Sequence, residues 1–205
     1  MQKIGIINYG MGNIASVRNA FNFIGESIEV IDSPGDIDKY EKLILPGVGA
    51  FAMAMENLNS KGFIDPLNKA VLTDQKKIIG LCLGMQLLFE SSEEHGLHNG
   101  LGWIKGQVKD LRKEVDLVVP HMGWNRLEKR KDSELLNGIS IDDMDVYFVH
   151  SYYCHCTEAN DIVATVNYGV SMDVMVQRDN IYGCQFHPEK SQKSGLEILK
   201  NFCRL

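Results

Sequence analysis

The sequence predicts an α/β fold: a mostly parallel sheet flanked by helices, with an antiparallel extension. Three observations carry this. Short apolar runs alternate with segments of helical period in the first half, and strand-like runs follow one another in the second half with few helical patterns between them. The 205 residues also hold no internal repeat, low-complexity tract or obvious linker, so one domain over residues 1–205 is expected.

Residues 3–8 read as a buried strand, followed by the turn Gly10-Met11-Gly12 and an amphipathic helix from about Asn13. In that helix Ile14, Val17, Phe21 and Ile24 recur on one face. Ile28–Ile31 reads as a second strand and residues 43–45 as a third, ending at Pro46-Gly47. Helices are expected near Ala50 and Asp65. Lys77–Cys82 is a further strand, and Met85, Leu88 and Phe89 open the helix expected after it. In the second half, residues 115–119, 146–150, 162–167, 174–177 and 181–186 are strand-like, as hairpins or as a sheet continuing the first. A last helix is expected over residues 191–202, with Leu196, Leu199 and Phe202 on one side. In such folds ligands collect at the carboxyl ends of the strands.

Bulk composition is that of an ordinary globular chain, 44% hydrophobic and 23% charged. A net charge of −6 argues against nucleic acid as a partner, because neutralising phosphates needs a basic surface. Lys129-Arg130-Lys131 sits among acids and reads as solvated loop or helix surface. Five cysteines are an odd number and no disulfide framework. The first apolar run is too short for a signal peptide, and no stretch approaches a membrane span. A reducing cytoplasm is the expected compartment.

The sharpest local signal is Gly80-Leu81-Cys82-Leu83-Gly84, between a predicted strand and a predicted helix. It has the Gly-x-nucleophile-x-Gly form of a nucleophile elbow, in which small flanking residues permit a tight turn that projects the side chain into a cleft. The Leu83 amide and the helix start would then face a reacting carbonyl and favour thiolate over thiol. A buried structural cysteine fits the same five residues, and the position after an apolar strand favours the nucleophile.

A cysteine nucleophile needs a base. Phe186-His187-Pro188-Glu189 follows a predicted strand, and its imidazole can take the thiol proton and later return one to a leaving amine. A carboxylate two residues on, with Pro188 limiting the backbone, can hold the other ring nitrogen. Alone, a His-x-Glu reads as a turn histidine beside an exposed glutamate. Together with the cysteine turn it describes a catalytic set.

Other candidates are weaker. His95 and His98 lie in a polar, loop-like stretch with only Glu93 and Glu94 nearby. Cys154-His155-Cys156 places two cysteines on one face of a strand, without the second cluster a metal site requires, so neither a metal nor a cofactor is expected. Pro46-Gly47-Val48-Gly49-Ala50-Phe51 offers glycine-rich backbone after a strand, where amides can meet the negative charge of a tetrahedral intermediate. The pattern of a phosphate-binding loop is absent, and Gly10-Met11-Gly12-Asn13 lacks the third glycine of a dinucleotide turn.

Four separated segments, Pro46-Gly47-Val48-Gly49, Gly80–Gln86, Phe148–Tyr152 and His187–Ser191, together resemble the class I glutamine amidotransferases. Asn8-Tyr9-Gly10-Met11-Gly12-Asn13 and Pro120-His121-Met122-Gly123-Trp124-Asn125 resemble one branch of that family, the glutaminase subunits of imidazole glycerol phosphate synthases. The resemblance covers essentially the whole chain. It implies a flavodoxin-like core and hydrolysis of L-glutamine to glutamate and ammonia through a thioester on Cys82, with His187 and Glu189 completing the triad. It further implies an oxyanion hole from Leu83 and the Val48–Gly49 turn, and a substrate pocket of Gln86, Ser151 and Tyr152. The ammonia would pass to a (β/α)₈-barrel synthase, in a heterodimer docked through Met11, Asn13, Met122, Trp124 and Lys190. For Met122 and Trp124 a core role is the competing expectation; the turn residues around them favour the interface.

Three other functions stay open on the residues alone. A paralogue with the same triad could feed ammonia to a nucleotide-sugar or surface-glycan amidotransferase. A non-catalytic regulatory partner is disfavoured by the intact Cys82, His187 and Glu189, and a cysteine peptidase by Gln86 and the His187–Glu189 spacing.

Overall fold

The computed structural model describes residues 3–140 and 143–205. In chain order its first half contains β1 (Ile4–Ile7), α1 (Ile14–Phe23), β2 (Ile28–Ile31), β3 (Lys42–Gly47), α2 (Phe51–Ser60), α3 (Ile64–Asn68), β4 (Lys77–Cys82) and α4 (Leu83–Leu87). Then come β5 (Phe89–Ser92), β6 (His98–Asn99), β7 (Ile104–Asp110), β8 (His121–Arg126), β9 (Glu128–Lys129) and β10 (Asp145–His150). The chain closes with β11 (Tyr152–Cys156), β12 (Ile162–Asn167), β13 (Ser171–Arg178), β14 (Ile181–Cys184) and α5 (Gln192–Arg204).

One large sheet runs β2-β1-β3-β4-β14-β13-β11-β7-β5-β6. The strands from β2 to β14 in that order are parallel to one another. From β14 the pairing turns antiparallel through β13, β11 and β7, with β12 added at β13 and β9 at β12. Strands β8 and β10 form a separate antiparallel ribbon. This is the mostly parallel sheet with an antiparallel extension that the sequence predicts.

The parallel strands are buried along nearly their whole length, as strands covered on both faces must be. Alternate residues supply the two cores. Ile6, Ile44 and Ile79 join Phe21, Phe186 and Phe202 on one side; Ile7, Leu43, Leu45 and Ile78 join Phe51, Leu58 and Leu67 on the other. Helix α1 starts where Asn13 accepts a hydrogen bond from the Ser16 amide at 3.2 Å, and it buries Val17, Ala20 and Phe21.

Several elements differ from expectation. The helix after Cys82 stops at Leu87, and Phe89 begins β5 rather than continuing it, because the segment from Phe89 pairs with β7. Residues 115–119 form no strand: Leu117 and Val118 are exposed and find no sheet edge, and a cis peptide joins Val119 to Pro120. Residues 121–125, expected as a turn, lie in β8. Strand β7 was missed because Gly106 and Asp110 occupy inward positions where apolar residues would mark a strand. Of the basic run, Lys129 lies in β9 and Lys131 donates to the Gln177 carbonyl at 2.9 Å, so it is tied to the extension rather than merely solvated.

Candidate active site

Strands β3, β4 and β14 are neighbours and parallel, so the turns that follow them open at one edge of the sheet. Cys82 ends β4, opposite Gly47 at the end of β3, and His187 follows β14. Sequence neighbours far apart are thereby brought to one place.

Cys82 has φ 54° and ψ −111°, a backbone conformation that costs a non-glycine residue about 1–3 kcal/mol and must be held by its surroundings. What holds it is close packing of the elbow on β3. A Cβ on Gly84 would lie 1.9 Å from the Leu45 carbonyl oxygen, so only glycine lets the first turn of α4 approach that strand. Because α4 is only five residues long, the local amide of Leu83 can do more to stabilise an anion here than the helix dipole can.

The His187 ring donates from Nδ1 to Glu189 Oε1 at 2.8 Å, with both side chains almost wholly buried. The ring and Cys82 line the same cavity, and the thiol acts on the charge of the ring. Burial works against the charged ring, but Cys82 and Glu189 together outweigh it and push His187 up to about 10. The ring is therefore a strong acceptor for a thiol proton. Its backbone is pinned by the Tyr147 carbonyl at 3.0 Å and by Ser191, whose hydroxyl donates to the His187 carbonyl at 2.6 Å. Glu189 Oε2 is buried with no hydrogen-bond partner among the described residues, so His187 receives the carboxylate's directed contact.

A cavity of about 400 Å³ opens over Cys82 and His187. Its wall includes Val48, Gly49, Leu83, Gln86, Ser151 and Tyr152, so every residue expected for the oxyanion hole and substrate pocket lines the same space as the triad cysteine and histidine. The volume suits a small amino acid. Gly49 has φ +100°, and its α-carbon faces the Met11 methyl so closely that a Cβ would lie 2.9 Å from it. Tyr9 braces the same loop from below, donating its hydroxyl to the Pro46 carbonyl at 2.7 Å.

The pocket residues differ in what they have free. Gln86 spends its amide hydrogens on the Tyr152 carbonyl at 3.1 Å and Gln185 Oε1 at 3.0 Å. The Tyr152 carbonyl also takes a bond from the His150 ring at 2.9 Å. That carbonyl thus holds the pocket wall together and is not the group a ligand meets.

Three further residues escaped sequence reasoning. Glu94, weighed only as a weak metal neighbour, lines the cavity and accepts from the Phe51 amide at 2.6 Å at the start of α2. Gln185 lies with its Nε2 3.9 Å from Cys82 Sγ. His150 also lines the pocket, with its Nε2 3.0 Å from His121 Nδ1. Burial above all pushes His150 down to about 3 and His121 down to about 4, so both rings stay neutral at ordinary pH. Since His150 gives its Nδ1 hydrogen to Tyr152, its Nε2 accepts from His121. None of these three stands out in sequence, because each role depends on contacts across the fold.

The residues expected at a docking face are split. Met122 and Trp124 are 62% and 48% exposed on β8, which excludes a core role for either. Lys190 and Asn13 are also exposed, the latter occupied as the α1 cap. Met11 is half-buried, with its methyl against Gly49. Among the described residues no group of three or more His, Cys, Asp or Glu is placed to hold a metal ion. Cys154 and Cys156 are both buried in the core.

Comparison with known proteins gives the family and the fold. Residues 6–205 match the family described as glutamine amidotransferase class-I. The chain is 50% identical over 201 residues to imidazole glycerol phosphate synthase subunit HisH 2 of Vibrio vulnificus, covering 98% of this chain and 93% of the relative. It is 46% identical to subunit HisH 1 of Campylobacter jejuni serotype O:23/36, covering 98% and 100% of the two chains. A solved structure titled as a glutamine amidotransferase superposes with a TM-score of 0.75 at 16% identity, over 98% of this chain and 97% of that one. The structure of PurLQS from Thermotoga maritima gives a TM-score of 0.76 at 17% identity, covering 100% and 99%. At such identity these two establish the fold.

Proposed function

The chain belongs to the class-I glutamine amidotransferases, and from that membership we infer that Cys82, His187 and Glu189 carry out its glutaminase chemistry. It acts as the glutaminase subunit of an imidazole glycerol phosphate synthase in histidine biosynthesis, the function named for relatives half identical to it along nearly their whole length. The observation that carries the catalytic assignment is the His187–Glu189 contact of 2.8 Å beside a cysteine held at φ 54° under the cavity.

The Cys82 thiol gives its proton to His187, and the sulfur attacks the side-chain amide carbon of glutamine. Negative charge gathers on the amide oxygen, which faces the amides of Leu83 and of the Val48–Gly49 turn. Collapse of the tetrahedral species breaks the C–N bond; His187 returns the proton to the nitrogen, and ammonia leaves a glutamyl thioester. A water, deprotonated by His187, then cleaves the thioester to glutamate. Glu189 keeps the ring oriented throughout. At the amino-acid end Gln86, Ser151 and Tyr152 shape the pocket, and the Glu94 carboxylate suits an α-ammonium group.

The whole chain, residues 1–205, serves as one glutaminase domain of a heterodimer, and it needs no cofactor. Its partner is the cyclase subunit, a (β/α)₈ barrel. The exposure of Met122 and Trp124 on β8 supports this docking face, to which Met11, Asn13 and Lys190 are also assigned. Ammonia must pass directly between the subunits, since free in neutral water it becomes ammonium and loses its nucleophilicity. A cytoplasmic place fits, and no described helix is long and apolar enough to cross a membrane.

A second reading has one observation in its favour: several relatives are numbered, as HisH 1 or HisH 2. A paralogue supplying ammonia to a nucleotide-sugar or surface-glycan amidotransferase would keep the same triad. Assays of glutamate release by the purified chain, alone and with the cyclase subunit, separate the two. The histidine reading expects a low rate alone and a rise on the order of 100-fold with the loaded cyclase, a coupling at the upper end of the usual range. A high rate alone that no partner changes contradicts it, and a rise only with a sugar amidotransferase favours the paralogue.

A further inference from the structure

Gln185 is wholly buried between β14 and His187, and the triad chemistry leaves it unused. Its backbone is held by a bond from its amide to the Val174 carbonyl at 2.8 Å. Its side-chain amide has one workable orientation. Oε1 accepts from Gln86 Nε2 at 3.0 Å and faces the Cys154 thiol at 4.0 Å. Turned over, its NH₂ would meet the Gln86 NH₂, donor against donor. The Gln86 amide cannot turn to relieve this, because its other hydrogen is committed to the Tyr152 carbonyl at 3.1 Å. The Gln185 NH₂ is therefore aimed at Cys82 Sγ, 3.9 Å away.

We propose that Gln185 is a positioning residue for the nucleophile, a fixed N–H donor that holds the Cys82 sulfur and stabilises it as the thiolate. The inference rests on Cys82 being the glutamine nucleophile. Once the thiol proton passes to His187, a sulfur anion is left on a largely buried side chain, where a pre-oriented donor is worth most. The other titratable groups facing that sulfur are Tyr9 from the end of β1, Cys154 from β11 and His187. Burial keeps Tyr9 and Cys154 protonated, but the Tyr9 hydroxyl hydrogen is given to Pro46 and the Cys154 thiol faces Gln185. Gln185 and His187 are thus the side chains that address the sulfur. Gln86 acts one step back, by fixing which end of Gln185 faces it.

The test is iodoacetamide alkylation of Cys82 across a pH series, read by mass spectrometry of its peptide, for the full chain and its Gln185→Leu and Gln185→Glu variants. Leucine removes the donor, and glutamate replaces it with a negative oxygen. In both, the alkylation midpoint should move to higher pH, by about one unit for leucine. The glutamate variant should move further, and kcat should fall with little change in KM. Folded variants whose alkylation profiles match the parent chain would overturn the proposal. Should the variants not fold, the side-chain amide NMR signal of Gln185 in the parent chain serves instead: it should shift with the titration of Cys82 and lose that shift in Cys82→Ala. A signal indifferent to Cys82 overturns the proposal too. Alkylation needs no glutamine, so failure here is distinct from failure of the glutaminase assignment, which persistent turnover in Cys82→Ala would reveal.

Discussion

Replacing Cys82 by alanine is expected to bring glutamine turnover to background, a loss on the order of 10⁴-fold or more, because nothing else at the site can form the acyl intermediate. His187 alone could direct water at the amide, but the ring loses one of the two partners that raise it to about 10. The substituted residue inherits the same backbone strain at φ 54° and removes one sulfur at the floor of an open cavity. The fold should therefore hold to within about 1 kcal/mol. Binding of the partner, for which the exposed β8 face is the proposed docking surface, should persist. Glutamate release, a thermal melt and a pull-down with the cyclase subunit together check this. Retained turnover would remove Cys82 from the mechanism.

The second large effect is expected at Gly84. In Gly84→Ala the new methyl would stand 1.9 Å from the Leu45 carbonyl oxygen and 2.8 Å from its carbon. Those atoms are backbone of β3, a strand paired on both sides, so neither strand nor elbow can yield locally. A cost of about 3 kcal/mol or more follows, with loss of activity even in the folded fraction, since any relief moves Cys82 relative to the oxyanion loop. Gly35→Ala is the control: a Cβ there meets nothing within 4 Å. It should leave stability within about 0.5 kcal/mol. Urea denaturation of the two variants measures the difference; equal midpoints would mean the elbow does not depend on that contact.

The proposed catalytic set could be read from sequence because its parts are local. A strand ending in Gly-x-Cys-x-Gly and another ending in His-Pro-Glu each carry their chemistry in a few residues, and the parallel order of β3, β4 and β14 brings those turns together. The parallel half was legible for the same reason: strands buried on both faces read as plain apolar runs. The antiparallel half was less so. Strand β7 alternates inward and outward, but with Gly106 and Asp110 at inward positions, and β8 presents Met122 and Trp124 to solvent. Conversely, residues 115–119 have the composition of a strand without an edge to pair with. Helix α4 was overextended because Leu88 and Phe89 continue its apolar character, while the chain turns there to join β7.

What stayed hidden about the site is the set of contacts that cross the fold. Gln185 meets Cys82 over 103 positions and Gln86 over 99. His150 and His121 meet because β10 and β8 pair in the register His150↔His121. Composition and spacing carry no trace of such pairings. Gln86 itself was legible as a residue of the cavity wall, but the engagement of its amide hydrogens with Tyr152 and Gln185 was not.

The most direct measurement of the central claim is to stop the chain with acid while it turns over glutamine, in the presence of the cyclase subunit, and to weigh its peptides. The account predicts a glutamyl adduct on the Cys82 peptide alone, which forms and decays with glutamate release and is absent from Cys82→Ala. Steady glutamine hydrolysis with no adduct on Cys82, or with the adduct on another cysteine, would contradict it.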